Sequence, residues 1–108
     1  MYTENKTIEL TDLGGGVTRK VLSYSENIMS VELHFDKDSV GALHSHPHEQ
    51  IGYIISGSLL YKEVGQEDKA LVTGDTYCVA PGIEHGVVAL EETMLLDIFT
   101  PMRKDFIE

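Results

Sequence analysis

Alternation is the feature that most constrains this chain. Through much of its length apolar and polar residues trade places at every second position. That is the period of a strand with one buried face, and the 3.6-residue period of an amphipathic helix is nearly absent. In Ile28–Phe35, Met29, Val31, Leu33 and Phe35 share one face, while Ser30, Glu32 and His34 share the other. Val17–Tyr24, Leu43–His46, Ile51–Ser56, Leu59–Val64, Thr76–Ala80, His85–Leu90 and Thr93–Thr100 read as further strands. Turn-forming clusters such as Asp36-Lys37-Asp38, Gly57-Ser58, Gly74-Asp75 and Pro81-Gly82 separate them. Short strands joined by tight turns argue against alternating strands and helices and predict an all-β antiparallel sandwich or barrel. The Gly14-Gly15-Gly16 run reads as a flexible connector before the first long strand. No helical pattern follows it, which argues against a phosphate-binding loop. Arg103–Glu108 reads as a short tail packed by Phe106 and Ile107.

The 108 residues amount to one domain, and 42% hydrophobic content is enough for one core. No apolar run is long enough to span a membrane. MYTENKTIEL carries neither a basic nor an apolar signal region, so no secretory leader is expected. Cys78 is the only cysteine, which fits a reducing cytoplasm, and a small buried hydrophobe is its expected role. A formal net charge of -10 argues against nucleic acid and anionic membrane surfaces as partners. It leaves room for a small anionic substrate, because one arginine in a pocket outweighs a distant field. So short a chain leaves sheet edges and apolar faces to cover. Symmetric pairing is the usual answer, and a homodimer is expected, with the first strands or the tail as contacts.

The chemistry concentrates in GALHSHPHEQIGYIISG, residues 41 to 57. His44 and His46 alternate, so on a strand their imidazoles project side by side, as two ligands sharing a cation must. Pro47 ends that regularity and leaves His48 at the rim. Pro81-Gly82-Ile83-Glu84-His85 places a further histidine at the start of a strand. Two strand-paired histidines and a distant third make a metal site, set against the plainer reading of surface or hydrogen-bonded core residues. His34, on a polar face, belongs to the plainer class. On Thr93–Thr100, Leu95, Asp97 and Phe99 share one face, so Asp97 is a charge among apolar residues. It needs either a structural hydrogen bond or a polar inner face beside a cation or substrate hydroxyl. Tyr53 and Tyr61 are candidates to line the barrel or fill the core.

These spacings resemble the two signatures of the cupins, at about residues 38–57 and 74–89. In the first, two histidines one residue apart are followed by a carboxylate and then by a glycine. Here His44 and His46 are followed by Gln50 in the carboxylate's place and then by Gly57. The second runs from Gly74 through Pro81 and Gly82 to His85. Asp38 stands where the family usually has glycine, and Ala89 where asparagine often closes the second signature. Leu13–Val17, Arg19-Lys20, HSHPHEQIGYII and LLDIFTPMRKDF further resemble the KdgF group of small cupins, which linearise 4,5-unsaturated uronates from pectin and alginate breakdown.

The resemblance implies a single cupin-type β-barrel, or jelly roll, over residues 1–108. It implies a divalent transition metal (Ni, Zn, Fe, Mn or Cu) on His44, His46, Gln50 and His85, reaching in from two hairpins. It also implies working roles for Asp97 as general base or proton shuttle, Arg103 as a clamp on the substrate carboxylate and Phe99 as an apolar wall. A carboxamide ligand leaves the cation its full charge, which favours an anionic substrate. A small cupin dioxygenase and a non-catalytic sugar-acid-binding cupin are the alternative functions.

Overall fold

The computed structural model covers residues 1–108 and holds ten strands. They are β1 (Thr11–Gly14), β2 (Val17–Tyr24), β3 (Met29–Phe35), β4 (Val40–His44), β5 (Glu49–Ser56), β6 (Ser58–Glu63), β7 (Lys69–Val72), β8 (Thr76–Val79), β9 (His85–Ala89) and β10 (Thr93–Thr100). Two 3-10 turns, Asn5–Thr7 and Lys104–Phe106, are the only helical pieces, and no helix is long and apolar enough to cross a membrane. The strands form a six-stranded sheet in the order β1-β2-β3-β10-β5-β8 and a four-stranded sheet in the order β4-β9-β6-β7. Neighbouring strands pair antiparallel throughout. The two antiparallel sheets fit the sandwich or barrel that the alternation predicts and the jelly roll that the cupin resemblance implies.

The two sheets close over Ile54, Leu59, Val79 and Leu95, each at most 1% exposed. Burying a side chain of that size stabilises the fold by roughly 1.5–3 kcal/mol. A smaller cluster of Met29, Val31 and Phe99 lies beside it, with Met102 and Phe106 of the tail packed on top. The tail's other expected anchor, Ile107, is 41% exposed. The faces read from the sequence hold on β10, where Thr93, Leu95, Asp97 and Phe99 are buried in alternation.

Several local expectations are corrected. β1 and β7 lie at sheet edges, with mostly exposed residues and no apolar period for a sequence reading to find. Gly14-Gly15-Gly16 is a tight hairpin turn rather than a loose connector, since β1 and β2 pair directly up to Gly14 opposite Val17. Cys78 is exposed, not buried, because Tyr77 and Val79 take the inward positions of β8. Tyr53 likewise faces out from β5, whereas Tyr61 is buried. Asp38, standing in a glycine position of the signature, has φ +71 and is the one non-glycine residue in the left-handed region. At Gly57, φ is +95 and a Cβ would lie 2.2 Å from the Glu92 carbonyl oxygen, so only glycine fits that corner.

Candidate metal centre and its pocket

The histidines reach one point from different elements. His44 ends β4 and pairs with His85, the first residue of β9, so both come from the four-stranded sheet. Gln50 comes from β5 in the opposite sheet. His46 lies on the loop between β4 and β5, so strand alternation does not place it. Nor do His44, His46 and Gln50 form one hairpin, because the chain crosses from one sheet to the other between them. Potential ligand nitrogens of His44, His46 and His85 nevertheless lie within 4.8 Å of one another. His46, Gln50 and His85 are buried, while His44 opens towards solvent.

The hydrogen bonds fix the tautomers. Nδ1 of His44 donates to the Ala42 carbonyl (2.9 Å), that of His46 to the His48 carbonyl (3.0 Å) and that of His85 to the Ile83 carbonyl (2.8 Å). A carbonyl only accepts, so each Nδ1 carries the proton and each neutral ring keeps its lone pair on Nε2. Burial lowers the pKa of both His46 and His85, which favours those neutral rings. Yet Nε2 of His46 and of His85 stand 2.9 and 3.2 Å from Oε1 of Gln50, acceptor against acceptor. A cation among these atoms resolves the conflict. Three imidazole nitrogens and one carboxamide oxygen are a suitable donor set for a divalent transition metal, with backbone carbonyls orienting the rings.

Beyond Gln50 lies a second buried group. Tyr77 donates its hydroxyl to Oδ1 of Asp97 (3.0 Å), and the Gln50 amide reaches the same hydroxyl at 3.5 Å. Burial pushes the Asp97 pKa up from 3.8 to about 6, against the hydrogen bonds from Gln50 and Tyr77 and the charge of Arg103. Burial and the Asp97 charge also raise the Tyr77 phenol well above its ordinary value, so it remains a donor. Tyr77 is a site residue that the sequence reading missed. It packs over Gly52, where a Cβ would meet the phenol ring at 2.2 Å, and stacks on Tyr61 at 4.5 Å. The sequence signal for it is a glycine in the middle of a strand.

A cavity of about 420 Å³ is lined by His44, Gln50, His85, Asp97, Phe99, Arg103 and Arg19, among others. Phe99 packs edge-on against His46 at 5.6 Å. Arg103 lies 5.1 Å above the Phe99 ring and makes a bidentate pair with Asp105, at 3.1 and 2.9 Å. The structure therefore brings together His44, His46, Gln50, His85, Asp97, Phe99 and Arg103. His48 stays at the rim, supplying its carbonyl to His46, and His34 lies on the surface beside Glu92 and Asp36.

A jelly roll with three histidines and a carboxamide converging inside it defines a cupin, and the sequence profile of the Cupin domain matches residues 31–99. The chain belongs to the cupin family, among its small KdgF-like members. It is 42% identical over 98 residues to the pectin degradation protein KdgF of Dickeya dadantii (strain 3937), covering 89% of this chain and 88% of that one. The structure of KdgF from Halomonas sp. superposes with a TM-score of 0.92 at 32% identity, over 98% of this chain and 97% of the other. An RmlC-like cupin from Shewanella frigidimarina NCIMB 400 gives 0.92 at 34% identity, over 97% and 94%.

Proposed function

We propose that this chain is a metal-dependent cupin enzyme that opens and ketonises 4,5-unsaturated uronate monosaccharides from pectin or alginate breakdown. The observation that carries the reading is the set of groups gathered at one cavity. A four-donor cradle, the Asp97–Tyr77 pair and the guanidinium groups of Arg19 and Arg103 meet there. Likeness to proteins named for pectin degradation points to the same substrate class.

His44, His46, Gln50 and His85 would hold the metal, whose chemistry is that of a Lewis acid stabilising negative charge on a substrate oxygen. Asp97 takes the proton from the anomeric hydroxyl as the C1–O5 bond breaks and leaves an enolate at C5. The same carboxyl returns that proton to C4 as the enolate becomes a ketone, so the reaction is an isomerisation with no net loss of atoms. A carboxyl with a pKa of about 6 is matched to both halves of that task near neutral pH. Tyr77 holds Asp97 in place through its hydroxyl. Phe99 offers an apolar wall to the sugar ring, and Arg103 supplies positive charge at the carboxylate end.

The wider reading treats residues 1–108 as one cupin unit working in the cytoplasm, where the exposed thiol of Cys78 is suited to a reducing environment. It also includes a homodimer, for which the exposed row Ile51, Tyr53 and Ile55 on β5 offers an apolar face. The test of the activity is a rate. Unsaturated galacturonate loses its conjugated ultraviolet absorbance on ring opening and ketonisation. Decay should quicken with the metal-loaded protein, return to background on metal stripping and fall roughly 10²–10⁴-fold in Asp97→Asn. Decay no faster than the spontaneous reaction overturns the reading.

A further inference from the structure

Arg103 is the arginine that the family resemblance points to, but its fork is already engaged by Asp105. The cavity holds another guanidinium. Arg19 sits on β2 between Val17 and Val21, opposite Leu33 of β3, on the face turned into the barrel. An unpaired charge in such a place is costly. Here it has no carboxylate within salt-bridge distance, and its buried Nε has no hydrogen-bond partner. The Phe106 ring lies 4.0 Å from the guanidinium carbon, Asp105 acts on Arg19 only from beyond salt-bridge distance, and Arg103 lies 4.3 Å from the same ring. Phe106 thus carries one guanidinium that is already paired and one that is free.

We infer that Arg19 is the direct seat of the substrate carboxylate, its free fork completed by a bound uronate while Arg103 is held aside by Asp105. Two parallel N–H···O bonds suit a planar carboxylate, and partial burial of the guanidinium strengthens them. The ring of the uronate then extends from Arg19 along Phe99 towards Asp97 and the histidines. This inference shares the uronate class with the proposed function but does not depend on the ring-opening step.

The test uses galacturonate, which has the carboxylate but no double bond to react, and galactose, which lacks the charge. Both are titrated calorimetrically into the metal-loaded protein, with metal content matched among wild type, Arg19→Lys, Arg19→Gln and Arg19→Met. Galacturonate affinity should fall about 10- to 100-fold in Arg19→Gln and Arg19→Met, with partial recovery in Arg19→Lys, while the response to galactose stays the same. With unsaturated galacturonate the loss should fall mainly on KM rather than on kcat. Arg19→Met keeps an apolar stem against Phe106 and removes a partly buried, unpaired charge, so its Tm should stay level or rise. A lower Tm with unchanged galacturonate affinity would make Arg19 a packing residue and overturn the inference. So would a wild type that does not bind galacturonate. Arg19-dependent binding without turnover of the unsaturated sugar would instead sink the proposed reaction and leave Arg19's role standing.

Discussion

Replacing Asp97 with asparagine should make the metal-free protein more stable while removing its proposed activity. The carboxylate is fully buried, and burial raises its pKa from 3.8 to about 6. Between those values the folded chain holds a proton that the unfolded chain has released, so stability falls as pH rises. At ~1.4 kcal/mol per pH unit, the full cost is about 3 kcal/mol. The carboxamide of Asp97→Asn would preserve the shape and still accept from Tyr77, but it never ionises. The stability advantage of the variant should therefore be about 0.5 kcal/mol at pH 4 and about 3 kcal/mol at pH 7, with most of the change between pH 4 and 6. Urea unfolding of both metal-stripped proteins across that range measures it. Taking the difference between the two curves removes the contributions of other carboxylates and of the histidines. A difference that stays flat with pH would refute the claim that a desolvated Asp97 is ionised at neutral pH at the fold's expense.

Tyr77→Phe removes the donor to Asp97, so its carboxyl should titrate higher and the acid limb of the pH–rate profile should move to higher pH, with a lower rate at pH 6. Gly52→Ala drives a methyl into the Tyr77 ring; a loss of about 1–3 kcal/mol is expected by denaturant titration, together with reduced activity. Asp38→Gly relieves the one strained non-glycine residue and should add roughly 0.5–1 kcal/mol, read as a higher Tm with an unchanged rate. A sedimentation mass close to the 12.0 kDa of one chain would rule out the homodimer, and Tyr53→Lys should shift a genuine dimer towards monomer.

How much of this was legible in the sequence depended on which force placed each residue. The period-2 faces of β3, β9 and β10 follow from burying one side of a strand, and they located His85, Asp97 and Phe99 on inner faces. Edge strands such as β1 bury little and leave no such trace. Alternation reads His46 as a strand partner of His44, but it converges because a loop turns, and Gln50 because the chain changes sheets; the cupin spacing supplied Gln50. Tyr77 had no motif to mark it, and Arg19 stood in a stretch that resembles the KdgF group without a role attached to it. On β2, Thr18 and Lys20 flank Arg19, so nothing in the sequence separates it from an exposed basic residue until its surroundings are seen.

The three Nδ1 hydrogen bonds have an evolutionary consequence. All the acceptors are main-chain carbonyls, two residues away from the histidine they steer. Replacing the side chain of Ala42, His48 or Ile83 cannot delete such an acceptor so long as the backbone keeps its course. Arg19, Asp97 and Phe106, by contrast, shape the cavity through their side chains. Mutation can therefore rewrite what this barrel accepts without having to reinvent how its histidines are aimed.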